Sequence, residues 1–133
     1  MDKIERPKAV DSITRKVTTG CGSMYVTLGF TEGGMLEVFA SLGKSGGCAL
    51  SQLEGLTRCI TLGLRHGIPV YEYVEELKDI KCPSQIPGCL SCSDGISSVL
   101  AEFVDVFYDD MFYGDAVHDE ELSSDEEKQD TQA

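Results

Sequence analysis

The sequence predicts an α+β domain in which a three-stranded antiparallel sheet is packed by about three helices. Two segments of alternating polarity joined by a glycine-bearing turn indicate a hairpin, and the longest helical period of the chain follows them. The chain has 133 residues, of which 41% are apolar. That length and composition are typical of one domain with a modest core.

Three strands are expected before the first helix. Residues 13–19 are β-branched and alternate with charge, which suits a strand. Residues 24–30 and 35–42 alternate in polarity and are joined by a four-residue turn with two glycines, which predicts a hairpin. We therefore expect one antiparallel meander. The middle strand directs four apolar side chains to one face: Met24, Val26, Leu28 and Phe30.

Apolar residues three and four apart predict a central helix between Gly43 and Gly67. Arg65 and His66 suit the negative end of the helix dipole, and Gly67 suits the left-handed residue after a helix end. The apolar stripe should pack on the meander. It comprises Leu50, Leu53, Leu56, Ile60 and Leu64.

Two shorter helices are expected after the central one. Pro69 favours a helix start, so we expect a second helix from Val70 to about Ile80. Ser91 offers a cap for a third helix, and Asp94 places an acid in its first turn. The apolar stripe of the third helix comprises Ile96, Val99, Leu100, Phe103 and Phe107.

The net charge of −12 is concentrated at the C-terminal end. Residues 1–104 carry 12 acidic and ten basic side chains, whereas residues 105–133 carry 11 acidic side chains and one basic one. We expect an N-terminal arm over residues 1–10, a domain over 11–108 and a disordered acidic tail over 109–133. The tail would either keep the protein in solution or dock on a basic partner surface.

Composition also limits the class of protein. Basic residues are scattered and form no cluster with aromatic ones, so direct binding of nucleic acid is not expected. No run of eighteen apolar residues and no signal peptide is visible, so we expect neither a membrane span nor export, and we assign the protein to the cytoplasm. A homo-oligomer is compatible with the sequence.

Six cysteines are the main candidates for chemistry. A reducing compartment disfavours disulfides, which leaves metal binding or redox chemistry. Cys21 precedes the second strand, Cys48 begins the central helix, Cys82 follows the second helix and Cys92 begins the third. These element ends would form a tetrahedral zinc site if they met at one corner of the domain.

Other interpretations of the cysteines remain open. Cys89 and Cys92 form a CxxC motif at a helix start, where a reactive thiolate is favoured, so a small thiol redox protein is an alternative. A third interpretation is that the cysteines are unpaired thiols with no metal or redox role. Cys59 lies within the central helix, and we expect it to be a small buried hydrophobic residue.

A glycine-rich turn before the central helix suggests a second alternative. Gly43–Lys44–Ser45 is similar to the end of a phosphate-binding loop, but the full pattern requires glycine at the position of Val38. The turn could still hold an anion with free N–H groups, which would make the chain a ligand-binding regulatory module, for example for a nucleotide. His66 and His118 have no partner at a recognisable spacing, and no catalytic residue is assigned.

Four segments together resemble a known family. They are TTGCGSMYVTLGF, EVFASLGKSGGCALSQLEGLTRCITLGLRHGI, LKDIKCP and LSCSDGISSVL. In this order they resemble the TSCPD domain, which occurs near the C-terminus of vitamin B12-dependent (class II) ribonucleotide reductases and as a small free-standing protein. The likeness extends over about residues 6 to 101. The namesake motif departs from the family pattern, with Leu90 in place of threonine and Ser93 in place of proline.

The resemblance selects ligands among the cysteines. In cysteine-bearing members of the family, the matching positions are those of Cys21, Cys48, Cys82 and Cys92. The resemblance therefore implies a zinc-stabilised domain with these four ligands, and Cys89 becomes an alternate ligand.

The resemblance also implies a role through a partner. It points to an accessory or regulatory protein in deoxyribonucleotide and DNA synthesis, with a ribonucleotide reductase catalytic subunit as its partner. The reductase's catalytic barrel, its radical cysteine and its cobalamin site have no counterpart in 133 residues. The chain resembles a part of ribonucleoside-diphosphate reductase, and we expect neither catalysis nor cobalamin binding from this chain alone.

Overall fold

The fold is α+β, as predicted. The computed structural model describes residues 1–43 and 47–104. The elements are β1 (Asp11–Thr19), β2 (Gly22–Thr31), β3 (Gly34–Leu42), α1 (Gly47–Arg65), α2 (Val70–Leu77) and α3 (Cys92–Phe103). The strands form one antiparallel sheet in the order β1-β2-β3, which confirms the meander.

The chain divides into two compact units within the last turn of α3. The first comprises Met1–Ala101 and the second Glu102–Ala133. Residues 102–104 are the described part of the second unit. The expected acidic tail, Phe107 and His118 lie outside the described residues.

The middle strand carries the centre of the core. Met24, Val26 and Leu28 are completely buried, because alternate residues of β2 face the same side of the sheet. Phe30, expected on the same face, is only half-buried. The register between β2 and β3 shifts at Gly29 and Phe30, and this irregularity interrupts the strict alternation.

Helix α1 packs against β3 with a face slightly different from the predicted one. Its buried residues are Leu53, Thr57, Ile60 and Leu64. Leu50 is 36% exposed, and Leu56 is half-buried. The buried stripe therefore includes a threonine, whose hydroxyl donates to the carbonyl of Leu53 at 3.0 Å and so satisfies its own hydrogen-bonding need.

The prediction that Cys59 belongs to the core is wrong. Its side chain is exposed, because the buried stripe of α1 passes through Thr57 and Ile60 on either side of it. Gly67 after α1 has φ of +93°, which confirms the left-handed residue expected there.

The two shorter helices, α2 and α3, complete the described part of the fold. Helix α2 ends at Leu77, three residues before the expected end, because Lys78 is extended and Asp79 has φ of +65°. The hydroxyl of Ser97 in α3 donates to the carbonyl of Val74 in α2 at 2.9 Å and joins the two helices. The described members of the predicted α3 stripe are buried: Ile96, Val99, Leu100 and Phe103.

The N-terminal arm crosses from α1 to the sheet. Ile4 and Arg65 exchange two hydrogen bonds, from Ile4 N to Arg65 O at 2.8 Å and from Arg65 Nε to Ile4 O at 2.9 Å. Arg6 then binds the carboxylate of Glu37 through both Nε and a terminal nitrogen, at 2.7 and 3.1 Å. This pairing explains how β3 can bury a glutamate whose side chain is only 6% exposed.

Among the described residues, no helix has both the length and the apolar character that a membrane crossing would need.

Candidate functional site

The turn between β1 and β2 presents the first candidate ligand. Thr19 is buried, and its hydroxyl donates to the carbonyl of Gly22 at 2.8 Å and accepts from the N–H of Cys21 at 3.0 Å. These two bonds fix the backbone of the turn, and the Cys21 side chain is left exposed at its tip. A side chain at Gly20 would overlap the carbonyl of Ser84, so this turn lies directly against the loop that follows α2.

The loop between α2 and α3 contributes two more thiols. Its ends are held together by a bond from Cys82 N to the carbonyl of Leu90 at 3.0 Å. Ile86 and Cys89 form a small antiparallel bridge, with two backbone hydrogen bonds of 3.1 Å. Cys89 is 4% exposed, and its thiol donates to the carbonyl of Ser91 at 3.2 Å. Cys82 is half-buried at the mouth of the loop.

The start of α3 is held by a capping arrangement, as the sequence predicted. The hydroxyl of Ser91 accepts from the N–H of Asp94 at 3.0 Å, the usual N-cap bond to the third helical residue. The carboxylate of Asp94 accepts from the N–H groups of Asp79 at 2.8 Å and Leu90 at 3.1 Å. The serine and aspartate of the namesake motif therefore fix the orientation of the helix start and of Cys92 within it.

The three elements meet around one pocket of about 310 Å³, which we call the cysteine pocket. Cys21 comes from the β1–β2 turn, Cys82 from the loop after α2 and Cys92 from the start of α3, and all three line the pocket. Residues of α1, including Ala49 and Leu53, form its opposite wall. The structure thus brings together three of the four predicted ligands.

The surroundings of Cys92 and Cys89 disfavour their thiolate forms. Burial raises the pKa of the Cys92 thiol, and the neighbouring Cys21 raises it further, while a hydrogen bond with Thr19 acts in the opposite direction. Cys89 and Cys82 add smaller increases. Burial also raises the pKa of Cys89, and a backbone hydrogen bond with Ser91 acts in the opposite direction. Cys21, Cys82 and Cys89 therefore all lie close enough to Cys92 to influence its pKa.

Cys48 and the phosphate-loop candidate lie apart from this group. Cys48 is exposed at the start of α1, next to Ala49 of the pocket wall. Lys44, Ser45 and Gly46 of the glycine-rich turn lie outside the described residues. His66 is beyond the C-terminal end of α1, where its Nδ1 lies 2.9 Å from the carbonyl oxygen of Met1.

The donor types in the cysteine pocket suit zinc, which prefers thiolate ligands. Within residues 1–43 and 47–104, however, no group of three or more Cys, His, Asp or Glu side chains is arranged to hold a metal ion. The thiols would therefore have to approach one another to bind one. The cysteine side chains are of the type that binds zinc, but within the described residues they do not form a closed coordination shell.

Two residues that support the site were missed from the sequence. Thr19 fixes the turn that carries Cys21 by accepting a hydrogen bond from the Cys21 N–H. Its position two residues before Cys21 was a local signal for this bond. Asp79, which donates its N–H to Asp94, has a left-handed backbone that its sequence neighbours did not indicate.

Comparison with known proteins identifies the family. A family model described as the TSCPD domain matches residues 2–104. The chain therefore belongs to the TSCPD domain family, as the sequence motifs indicated.

The relatives found by sequence are much longer proteins. The chain is 33% identical over 70 residues to a vitamin B12-dependent ribonucleotide reductase of Agrobacterium fabrum, a match that covers 52% of this chain and 6% of the relative. It is 26% identical over 76 residues to the vitamin B12-dependent ribonucleotide reductase of Streptantibioticus cattleyicolor, covering 56% of this chain and 13% of that protein. The matched region is thus a small part of each relative. No solved structure gave a significant match.

Proposed function

We propose that this chain is a zinc-binding accessory domain of ribonucleotide reduction that acts through a catalytic partner. The observation that carries the proposal is the cysteine pocket, in which Cys21, Cys82 and Cys92 converge from three different elements. The residue types are those that a structural zinc site uses.

The proposed ligands are these three cysteines and Cys48. Cys48 directly precedes Ala49, which lines the cysteine pocket, so a local movement at the start of α1 would bring its thiol toward the other three. Cys89 is the alternate fourth ligand, since its thiol lies near Cys82 and Cys92. Because Cys89 is buried and bonded to the carbonyl of Ser91, its recruitment would cost that bond.

Zinc would crosslink the elements around the cysteine pocket and add a positive charge, and it would not take part in a reaction. Four thiolates would join the β1–β2 turn, the start of α1 and both ends of the loop before α3. The positive ion would also favour the thiolate form of Cys92, which burial and the neighbouring Cys21 disfavour in the metal-free protein. We therefore assign the site a structural role.

The redox alternative has less support. A reactive CxxC cysteine at a helix start needs a thiolate stabilised by its surroundings. Here burial raises the pKa of both Cys89 and Cys92, and the buried Cys89 thiol is already engaged with a backbone carbonyl. Both features make nucleophilic attack at neutral pH slow.

The partner is inferred from the relatives. The regions similar to this chain make up 6% and 13% of two vitamin B12-dependent ribonucleotide reductases. We infer that this domain likewise acts together with a reductase catalytic subunit. Such association would place the activity on the partner and a binding or regulatory role on this chain.

Metal analysis tests the zinc proposal. Protein purified under reducing conditions should contain about one zinc per chain, and Cys82→Ser and Cys92→Ser should each lose it. Cys59→Ser is the matched control, because Cys59 is exposed on α1 and does not line the cysteine pocket. Comparing Cys48→Ser with Cys89→Ser identifies the fourth ligand. Metal-free protein with a reversible Cys89–Cys92 disulfide would overturn the proposal in favour of redox chemistry.

Affinity capture from the native cell tests the accessory role. The tagged full chain should recover a ribonucleotide reductase catalytic subunit. Its consistent absence, with the tagged protein folded and zinc-loaded, would contradict association with a reductase while leaving the zinc site intact.

A further inference from the structure

A second cavity of about 590 Å³ lies between β3, α1 and the N-terminal arm, on a part of the domain that the proposed zinc site does not use. Its lining residues differ entirely from those of the cysteine pocket. We call it the β3–α1 groove. Val38, Phe39 and Ala40 contribute the strand side, and α1 contributes residues from Leu50 to Arg65.

Large apolar side chains are exposed in the β3–α1 groove. Phe39 is 53% exposed, Leu62 is 50% exposed and Leu50 is 36% exposed, and all three line it. Exposed apolar residues that are scattered singly need no explanation, but these line one concave surface. Such a surface favours a ligand that brings an apolar side chain of its own.

The strand side of the groove also offers an unused backbone edge. The hydroxyl of Thr61 bonds both the N–H of Val38 at 3.0 Å and its carbonyl at 3.2 Å, so the main-chain groups of Val38 point away from β2. In an antiparallel strand the same direction recurs two residues later, at Ala40. Within residues 1–43 and 47–104, the outward groups of Ala40 have no hydrogen-bond partner. An extended peptide could pair with them.

The rim of the groove is basic, although residues 1–104 together are nearly neutral. Lys3, Arg58 and Arg65 line it, with Glu54 as the acidic exception. Glu54 pairs with Arg58 at 2.8 Å, but both side chains are more than 60% exposed, so this pair is weak and readily exchanged. Lys3 has no ion pair within the described part of the chain.

The spacing of the cations distinguishes an extended ligand from a compact one. Arg58 and Arg65 are seven residues apart on α1, which corresponds to about 10 Å along the helix axis. An extended chain covers that distance in about three residues. Spread cations match carboxylates spaced along a peptide better than they match one phosphate group.

We propose that the β3–α1 groove docks an extended acidic segment of a partner protein, with two carboxylates about three residues apart and an aliphatic or aromatic side chain between them. The carboxylates bind Arg58 and Arg65, and the apolar side chain lies against Phe39 and Leu62. The segment's backbone pairs with the outward groups of Ala40. The occupant's chemistry follows from the groove's charge spacing, its apolar lining and its open strand edge.

Titration of the isotopically labelled full chain with a synthetic peptide tests this. The probe is acetyl-Asp-Glu-Phe-Leu-Glu-Asp-amide, and its neutral counterpart carries Asn and Gln in place of the acids. We expect saturable changes of amide NMR signals at Phe39, Ala40 and along α1 with the acidic probe only. Raising the salt concentration should weaken the binding, because exposed charges are screened.

Matched variants assign the binding to the groove. Arg58→Gln should weaken binding by up to about fivefold, the effect of losing one exposed ion pair. Lys16→Gln removes the same charge from an exposed position on β1 and should leave the affinity unchanged. Phe39→Ala, at a side chain that is 53% exposed, should also weaken binding.

Three results would overturn the proposal. One is the absence of saturable binding by the acidic peptide. Another is an equal loss of affinity in Arg58→Gln and Lys16→Gln, which would indicate a general charge effect. The third is binding of ADP at these signals without binding of the peptide, which would assign the groove to a nucleotide. None of these outcomes bears on zinc content.

Discussion

Replacing Asp94 by alanine should destabilise the domain more than any other change to an acidic side chain around the cysteine pocket. The Asp94 carboxylate accepts from Asp79 N at 2.8 Å and from Leu90 N at 3.1 Å, and so joins the end of α2, the loop and α3. It also lies in the first turn of α3, where the helix dipole favours a negative charge.

The magnitude follows from these contacts. A hydrogen bond to a charged group contributes about 1.5–3 kcal/mol, and two that share one carboxylate add less than fully. Asp94 is only half-buried, so we expect a loss of about 2–3 kcal/mol in the free energy of unfolding. Asparagine retains one acceptor oxygen and should lose about half as much. For a domain of about 100 residues, the alanine variant should melt at least about 10 °C lower.

Urea unfolding followed by far-UV circular dichroism measures this, because the chain has no tryptophan to report by fluorescence. Asp11→Ala is the control, since Asp11 is exposed at the start of β1, and its loss should change stability by less than about 0.5 kcal/mol. If Asp94→Ala is no more destabilising than Asp11→Ala, the carboxylate does not hold these elements together.

Three other perturbations have definite expected results. In urea unfolding, Thr61→Val should cost about 2 kcal/mol more than Thr57→Val. The Thr61 change leaves the backbone N–H and carbonyl of Val38 unpaired, whereas the hydroxyl of Thr57 bonds only its own helix. Equal losses of stability in the two variants would contradict this. Gly63→Ala should cost about 1–3 kcal/mol, because its Cβ would overlap the Tyr73 hydroxyl, and Tyr73→Phe should recover part of that loss. In metal-free protein, mass spectrometry should find Cys92 alkylated by iodoacetamide after the exposed cysteines. Because the pKa of Cys92 is raised, its alkylation rate should continue to increase at pH values above the usual thiol range. Labelling of Cys92 before the exposed cysteines would contradict its raised pKa.

Local patterns predicted most of the elements. Alternation located β2 and β3, and the three-and-four spacing located α1 between its glycine-rich start and Gly67. These signals depend only on residues close together in the chain, so they can be recognised in a single sequence. Ser91 and Asp94 were likewise recognisable as a helix start from their spacing alone.

Features that depend on distant partners were not predictable in the same way. Glu37 is buried because Arg6, 31 residues earlier, reaches it with two nitrogens. Cys59 is exposed because the face of α1 that contacts β3 includes Thr57, and the stripe of leucines alone suggested a different rotation. In each case the deciding contact joins residues that are far apart in sequence.

The candidate site shows the same division. The sequence indicated that Cys21, Cys82 and Cys92 stand at element ends, and the structure places all three around one pocket. The position of Cys48 depends on how α1 begins, directly after residues 44–46, which lie outside the described residues. Its inclusion as a ligand therefore stays a prediction.

X-ray absorption at the zinc edge tests the central claim most directly. On protein purified under reducing conditions, the proposed site predicts about one zinc per chain with four sulfur neighbours at about 2.3 Å. The Cys92→Ser variant should lose the ion, while Cys59→Ser should give an unchanged spectrum. Protein without zinc, or zinc surrounded by oxygen and nitrogen alone, would contradict the assignment of the cysteine pocket as a metal site.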